Sequence, residues 1–139
     1  MEPTESISSL LAAMKSGTLT STELVERCLA RIETADRNLR AWVSVDASGA
    51  RADAARADDK QALGVVLGVL HGIPIGIKDI VDVAGIVTGA GSPLRIKSAL
   101  PAERDAAIVT VLRQAGGGKR SWLEGVGPTH RRNAELHVV

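Results

Sequence analysis

A chain of 139 residues has the length of a single domain. Hydrophobic residues make up 45% of it and charged residues 24%, which is typical of a globular protein in water. The 17 basic and 16 acidic residues nearly balance, which argues against a general role on nucleic acids or membrane surfaces. Because Phe and Tyr are absent, the core must be aliphatic, and we expect marginal stability for a domain of this size.

Three features of the sequence bear on cellular location. Cys28, the one cysteine, cannot form an internal disulfide, which suits a reducing compartment. The first five residues carry no apolar core of a signal peptide. The apolar stretch 64–77 is interrupted by His71 and Pro74 and is too short to span a bilayer. We therefore expect a cytoplasmic protein that does not bind membranes.

Helical spacing of apolar residues marks the beginning of the chain. It predicts a first helix over residues 6–15, with Gly17 as its stop signal. Residues 20–23, Thr-Ser-Thr-Glu, have the pattern of a capping box and predict the start of a second helix. The apolar stripe of that helix ends at Ile32 and includes Cys28, which we expect to be a small core residue.

Two strands and a third helix are predicted next. Residues 41–45 alternate around Trp42 and two valines, as in a short strand. Asp46 can cap an alanine-rich helix that runs to about Asp59. Residues 73–78 are mostly apolar and β-branched, with glycines nearby, which indicates a strand buried in the core.

The remaining predicted elements are less regular. Residues 86–88 predict another short strand, and residues 89–93 have the composition of a turn. Residues 102–115 predict a helix with Glu103 and Asp105 in its first turn, where carboxylates complement the helix dipole. This order of helices and strands places the chain in the α/β class.

Lys78 is the leading candidate for a catalytic residue because it ends the predicted buried strand. Burying a charged ammonium group is costly, so a lysine at the mouth of such a strand can be neutral and act as a base. The next residue, Asp79, has two alternative roles: it can orient Lys78 or cap the neighbouring turn. The turn-capping role is favoured because aspartate commonly takes it.

Three segments together resemble the beginning of the amidase signature family. They are Leu70-His71-Gly72-Ile73-Pro74-Ile75-Gly76-Ile77-Lys78-Asp79, then Val83-Ala84-Gly85, then Thr88-Gly89-Ala90-Gly91-Ser92. Members of this family carry a G-I-P-I-x-x-K-D segment followed by a T-x-x-G-S turn. They include amide hydrolases and the A subunit of the glutamyl-tRNA(Gln) amidotransferase. The resemblance covers about residues 5–115 and implies the N-terminal portion of the family's mixed sheet with its flanking helices, truncated.

The resemblance also implies a mechanism. The family uses a Ser–cis-Ser–Lys triad, in which Lys78 corresponds to the general base. Gly89, Gly91 and Ser92 match the turn that lines the family's active site, which makes them candidate substrate-binding residues. The substrate implied for a full-length member is a small-molecule amide, whose carbon–nitrogen bond is hydrolysed with neither cofactor nor metal ion.

The serines of this mechanism decide what the chain is expected to do. In the family both lie in a segment of the type G-G-S-S-G-G-S, and the 139 residues contain no such segment. Ser92 does not match either serine position. Since a base without a nucleophile cannot begin acyl transfer, we predict an amidase-family fragment that is inactive alone.

The family pattern ends close to residue 115. We therefore divide the chain into a partial amidase-like domain, residues 1–115, and a divergent tail, residues 116–139. The tail opens with three glycines, and no apolar strand is recognisable after them, although family members have one there. It carries four basic and two acidic residues, whereas residues 1–115 carry 13 and 14. We expect the tail to be poorly ordered.

The histidines do not predict a metal site. His71, His130 and His137 lack the spacing of metal ligands. We expect His71, which lies within the apolar segment, to be a hydrogen-bonded structural residue.

Other classes of function remain open from the sequence. The chain could be a non-catalytic interaction module or a split subunit completed by a second chain, with an exposed sheet edge and apolar surface as the interface. It could also be a remnant of an interrupted gene without a selected function. The same unpaired edge would favour self-association.

Overall fold

The computed structural model describes residues 5–65, 67–116 and 122–125. Within these ranges the chain forms helices and strands that confirm the predicted α/β class. The helices are α1 (Ile7–Ser16), α2 (Ser21–Leu39), α3 (Ala47–Ala62), α4 (Pro93–Ser98) and α5 (Ala107–Gln114). The strands are β1 (Trp42–Val45), β2 (Ile75–Lys78) and β3 (Trp122–Gly125).

The three strands form one mixed sheet in the order β1-β3-β2. The central strand β3 pairs antiparallel with β1 and parallel with β2, so that the Cα of Gly125 lies opposite that of Lys78. The sequence did not predict β3, because four residues between glycines and charges give no strand pattern. Pairing on both sides supplies what the local pattern lacks. Except for Gly116 and residues 122–125, the tail that was expected to be poorly ordered lies outside the described residues.

The first two helices are capped by side chains at their starts, and the box predicted for the second is confirmed. The Ser6 side chain accepts a hydrogen bond from the Ser9 backbone amide, and Gly17 ends α1 with a φ of 77°. The capping box of α2 is complete: the Glu23 amide donates to Thr20 Oγ1 at 3.1 Å, and the Thr20 amide donates to Glu23 Oε2 at 2.8 Å. These bonds satisfy amides that a helix start leaves without partners.

A carboxylate from α3 also caps the start of α2. The backbone amides of Ser21 and Thr22 donate to Asp58 Oδ1 and Oδ2 at 2.7 and 3.0 Å. The Thr22 hydroxyl adds a third bond to Asp58 Oδ2 at 2.6 Å. Asp58 therefore joins the end of α3 to the beginning of α2, and this link depends on tertiary structure.

The segment that leads into β2 packs tightly on these helices. Gly72 has a φ of 72°, and a Cβ atom there would come within 2.5 Å of Met14 Cε and 3.0 Å of Ser21 Cβ. Its carbonyl accepts a buried hydrogen bond of 2.7 Å from the Ser21 hydroxyl. Glycine is favoured at this position by the backbone angle, and the contact holds the segment close to Ser21.

The core consists of aliphatic side chains in three clusters. The first lies between α1, α2 and the segment before β2, and comprises Leu10, Met14, Leu19, Leu24, Cys28 and Ile73. The second lies between β2 and α5, and comprises Ile75, Ile77, Val83, Val109 and Leu112. The third joins α2 to α3, and comprises Val25, Ala50 and Ala54. The position predicted for Cys28 is confirmed.

The region after β2 differs most from the prediction. Residues 86–88 form no strand, and residues 93–98 form a helix that was not predicted. The last helix begins at Ala107, so Glu103 and Asp105 lie outside it. Tertiary hydrogen bonds explain the late start, because the Ala102 amide donates to the Ile86 carbonyl and the Ala106 amide to the Asp82 carbonyl. These bonds hold the segment in a connection rather than a helix.

No helix among the described residues is long and apolar enough to cross a membrane.

Candidate active site

Lys78 is the last residue of β2. Side chains alternate along a strand, so Ile75 and Ile77 point into the core beside α5 while Gly76 and Lys78 belong to the opposite face. Lys78 is partly buried. Its carbonyl accepts hydrogen bonds from the amides of Ile80 and Val81 at 2.7 and 3.0 Å, so the chain turns immediately after the lysine. Lys78 thus lies at the mouth of a strand whose alternate side chains are fully buried.

Asp79 holds a loop beside the lysine. It is only 2% exposed, and its Oδ1 accepts a hydrogen bond of 2.6 Å from the Gly89 amide. Its Oδ2 accepts a second bond of 3.3 Å from the Gly91 amide, and its own carbonyl accepts one of 2.8 Å from the Ala90 amide. The turn-capping role predicted for Asp79 is therefore confirmed. The carboxylate keeps the turn at residues 89–91 directly beside the strand end.

The turn is close-packed at its first glycine. A Cβ atom at Gly89 would come within 2.8 Å of Asp79 Oδ2 and 2.7 Å of Ile96 Cγ1. Ala90 and Gly91 follow with φ angles of 51° and 72°, in the left-handed region. The structure thus brings two of the predicted substrate-binding residues, Gly89 and Gly91, next to the residue that follows Lys78. Whether they bind a substrate remains a prediction.

The two hydroxyl groups of this loop have local structural partners. Ser92 is the N-cap of α4, and its Oγ accepts a hydrogen bond of 3.4 Å from the Arg95 amide, with Pro93 as the first helical residue. The Thr88 hydroxyl donates to Asp82 Oδ1 at 2.6 Å. The Thr88 carbonyl accepts from Arg95 Nε at 3.2 Å. The proposed substrate-binding role of Ser92 stays a prediction.

Asp105, which the sequence placed in the first turn of a helix, instead joins two segments that follow β2. Asp105 forms an ion pair with Arg113 of α5, with 2.9 Å between Oδ2 and Nε. Its Oδ1 also accepts from Arg113 Nη2 at 3.1 Å and from the Ala84 amide at 2.8 Å. Both side chains are largely buried, so this pair is expected to stabilise more than an exposed one. The interaction joins the loop after β2 to α5, and nothing in the local sequence indicates it.

The other chemically active side chains have structural roles. His71 is buried, and its Nε2 lies 2.9 Å from the Ala57 carbonyl oxygen, which confirms the predicted structural role. His130 and His137 lie outside the described residues. Burial raises the pKa of the Cys28 thiol to about 11, so this group stays protonated and is a poor nucleophile near neutral pH. No cluster of His, Cys, Asp and Glu within the described ranges could hold a metal ion.

A cleft of about 380 Å³ lies elsewhere, between α2, β1 and the start of α3. Its lining residues are Glu26, Leu29, Ala30, Ile32, Glu33, Val45, Ala47 and Arg51. Glu26 and Arg51 pair with each other, with 2.5 Å between Oε1 and Nε, and this hydrogen bond lowers the pKa of the Glu26 carboxyl. The cleft includes none of the predicted site residues.

The strand, the lysine and the aspartate-held turn define the class of protein. A family model described as Amidase matches residues 23–118, and the chain therefore belongs to the amidase family. The resemblance drawn from residues 70–92 is confirmed. The A subunit of the glutamyl-tRNA(Gln) amidotransferase from Chloroflexus aggregans is 38% identical over 110 residues, which are 79% of this chain and 22% of that protein.

Solved structures agree with this assignment. The native peptide amidase from Stenotrophomonas maltophilia is 35% identical, with a TM-score of 0.67, over 87% of this chain and 23% of its own. A chain of an inhibitor-bound vestigial complex, connected with the origins of an s-triazine catabolic enzyme, is 30% identical. Its TM-score is 0.80, over 88% of this chain and 26% of its own. The chain thus spans about a quarter or less of the proteins that it matches.

Proposed function

We propose that this chain supplies the general base of an amidase active site that hydrolyses the carbon–nitrogen bond of a small-molecule amide. The position of Lys78 carries the proposal. Lys78 ends a buried strand inside the segment that the Amidase model matches. It directly precedes a buried aspartate that holds a tight glycine turn.

In this proposal the base works through two serines. Lys78 takes a proton from a relay serine, which takes the proton of the nucleophilic serine as that oxygen attacks the amide carbonyl. The carbon–nitrogen bond then breaks, the leaving nitrogen gains a proton, and water releases the acyl group. The turn from Gly89 to Ser92 forms part of the substrate wall.

Both serines come from outside the 139 residues, which contain no G-G-S-S-G-G-S segment. The 139-residue polypeptide is therefore inactive alone, and it requires neither cofactor nor metal ion. The matched relatives include one component of an amidotransferase and a peptide amidase. Both relatives act in amide chemistry, and the proposed substrate is therefore an amide of unspecified structure. The single buried cysteine is consistent with a cytoplasmic location.

A second candidate function is that of a non-catalytic interaction module or a split subunit completed by a second chain. Two observations favour it. The serine segment is absent from the 139 residues, and large apolar side chains, among them Ile108 and Val111, are exposed on α5. A non-catalytic module differs from the first candidate in requiring no contribution from Lys78, whereas a split subunit completed by a second chain still uses it as the base.

The proposal is tested by grafting. Residues 23–118 of this chain replace the matched segment of the Stenotrophomonas maltophilia peptide amidase, and hydrolysis of that enzyme's substrate is followed. We expect the graft to be active and Lys78→Ala to lower kcat by about 100-fold or more, the usual contribution of a general base.

Lys78→Arg is the matched control for packing, because arginine keeps a long side chain but cannot lose its proton to act as a base. We expect it to be as inactive as Lys78→Ala. An active graft that keeps its kcat with Lys78→Ala would contradict the proposal.

A further inference from the structure

Thr88, which begins the turn at residues 88–92, is fixed by contacts on both sides. It is 8% exposed, and its hydroxyl donates to Asp82 Oδ1 at 2.6 Å. The amide that follows it, that of Gly89, donates to Asp79 Oδ1 at 2.6 Å. The Thr88 carbonyl oxygen accepts a hydrogen bond of 3.2 Å from Arg95 Nε. The guanidinium of Arg95 is therefore tied to a carbonyl whose surroundings are themselves held in place.

This bond uses one edge of the Arg95 guanidinium. Arginine has five N–H donors and no acceptor, and four of the donors belong to the terminal nitrogens Nη1 and Nη2. Among the residues that the structure describes, the Arg95 side chain has no hydrogen bond besides the one to Thr88 and no ion pair. Asp79 and Asp82, the carboxylates that bond to this turn, accept from the turn itself. The positive charge therefore lies beside the turn without an ion-pair partner in this part of the chain.

The tethered guanidinium suits a carboxylate ligand. Two N–H groups, one on each terminal nitrogen, form a planar fork that matches the two oxygens of a carboxylate. A long side chain normally loses rotamer freedom when it binds a ligand. The bond from Nε to the Thr88 carbonyl already restricts Arg95, so less freedom is lost on binding. An uncharged group would gain less from the same fork, because charge-assisted hydrogen bonds are the stronger ones.

A short series of contacts connects this guanidinium to the candidate base. Lys78 directly precedes Asp79, whose carboxylate accepts from the Gly89 amide. Gly89 follows Thr88, whose carbonyl accepts from Arg95. Two hydrogen bonds therefore link the strand end that carries the base to the guanidinium, and both run through the turn that we propose as part of the substrate wall.

We infer that Arg95 is a specificity-determining residue of the proposed amidase site, and that the preferred substrate is an amide that also carries a carboxylate. Arg95 binds this carboxylate through its two terminal nitrogens. Thr88 and Asp82 are positioning residues, because they hold the carbonyl that orients the guanidinium. The inference rests on the proposed function, and it narrows the substrate from any amide to an anionic one.

The graft of residues 23–118 into the Stenotrophomonas maltophilia peptide amidase tests this with two amides of similar shape. Succinamate carries a carboxylate, and 4-methylpentanamide has an isopropyl group in its place. We expect the unsubstituted graft to prefer succinamate. Arg95→Met, which keeps an unbranched side chain without the charge, should lower the ratio of the two kcat/KM values about tenfold or more, mainly through the KM for succinamate.

Two further variants serve as controls for charge and for positioning. Lys97→Met removes another exposed basic residue of the same short helix, and it should leave the ratio of kcat/KM values unchanged. Thr88→Val keeps the carbonyl that Arg95 contacts but removes the hydroxyl bond to Asp82. It should therefore lower the ratio by less than Arg95→Met does.

Binding to the intact 139-residue chain provides a readout that needs no turnover. The chain is titrated with succinamate and, separately, with 4-methylpentanamide, while the backbone amide signals of residues 88–91 are followed by NMR. We expect succinamate to shift these signals in a saturable way and 4-methylpentanamide to leave them in place. Arg95→Met should abolish the shift, and Lys97→Met should preserve it.

The outcomes separate this inference from the proposed function. Equal losses of kcat/KM for both amides in Arg95→Met would mean that Arg95 only holds the turn, and they would overturn the inference. A graft that prefers succinamate through Arg95 but stays active with Lys78→Ala supports the carboxylate site and contradicts the proposed base. If the graft hydrolyses neither amide, the titration decides, and the absence of a shift that depends on Arg95 overturns the inference.

Discussion

The helices α2 and α5 lie against different parts of the same protein and differ in what they present to water. In α2 the buried stripe, from Leu24 to Ile32, is opposed by a charged outer face that includes Glu26 and Glu33. In α5 the stripe next to the buried one is apolar and exposed. Helix α2 has the ordinary pattern of a surface helix. Helix α5 has apolar side chains on two sides, as in a helix that packs on both.

The same difference extends to the regions around the two helices. Residues 5–65 satisfy their helix ends with local caps and with Asp58, and α2 and α3 close over a common cluster. After β2, buried polar contacts from Asp79 and Asp105 hold the loops, while apolar side chains point outward. Polar contacts thus hold the loops around the candidate site.

The largest effect is expected from removing the carboxylate that holds the site loop. Asp79→Ala leaves the Gly89 amide buried without a partner and weakens the hold on Gly91. We expect the free energy of unfolding to fall by about 3 kcal/mol, because unsatisfied buried donors cost about 1–3 kcal/mol each. Urea unfolding measures this loss. Asp79→Asn, which keeps one acceptor oxygen, should lose less, and an Asp79→Ala protein as stable as the unsubstituted one would refute the assignment.

The contrast between the two stripes of α5 can be measured within one helix. Val109→Ala removes methyl groups from a fully buried position and should lower the free energy of unfolding by about 2 kcal/mol. Val111→Ala removes the same atoms from an exposed position and should change it by less than about 0.5 kcal/mol. Equal losses in the free chain would mean that Val111 is already covered.

The link between α3 and α2 is expected to have a smaller effect. Asp58→Ala removes the acceptor for the amides of Ser21 and Thr22, and loss of a helix cap costs about 1 kcal/mol. Asp59→Ala, one residue along the same helix, serves as the control and should be nearly neutral. Chemical denaturation of both variants measures the difference, and equal stability of the two would show that Asp58 does not cap α2.

The smallest effect concerns pH and the capping box. Hydrogen bonds from the Thr20 amide and side chain lower the pKa of the exposed Glu23 carboxyl below its ordinary value of 4.5. A lowered pKa in the folded state stabilises the protein above the unfolded value, and this contribution is lost as the pH falls through the folded value. The urea midpoint should therefore decrease slightly more between about pH 6 and about pH 3 in the unsubstituted chain than in Glu23→Gln. An identical decrease would argue against the box.

Local signals predicted the first region well. The Thr20–Glu23 box and Asp46 each mark a helix start through bonds within a few residues, so the sequence alone identifies them. The region after β2 was predicted less well. There Asp105 accepts from an amide 21 residues earlier in the chain, and β3 depends on its neighbours in the sheet. Such long-range contacts leave no periodic pattern in the sequence.

The candidate site likewise has features that the sequence predicts and features that depend on long-range contacts. Lys78 and the turn at residues 88–92 could be identified from the motif, and Asp79 from its tendency to cap turns. The contact that makes Gly89 necessary could not, because it involves Ile96 of an unpredicted helix as well as Asp79. The motif therefore identified the candidate site residues, whereas the packing around Gly89 could be seen only in the folded structure.

The central claim is that these 139 residues hold the base of an amidase site without its nucleophile. The most direct measurement is ammonia release from simple aliphatic and aryl amides by the purified chain, beside its Lys78→Ala variant. The account predicts no release above buffer from either protein. Turnover by the unsubstituted chain that Lys78→Ala abolishes would contradict it, because the lysine would then have a nucleophile within this chain.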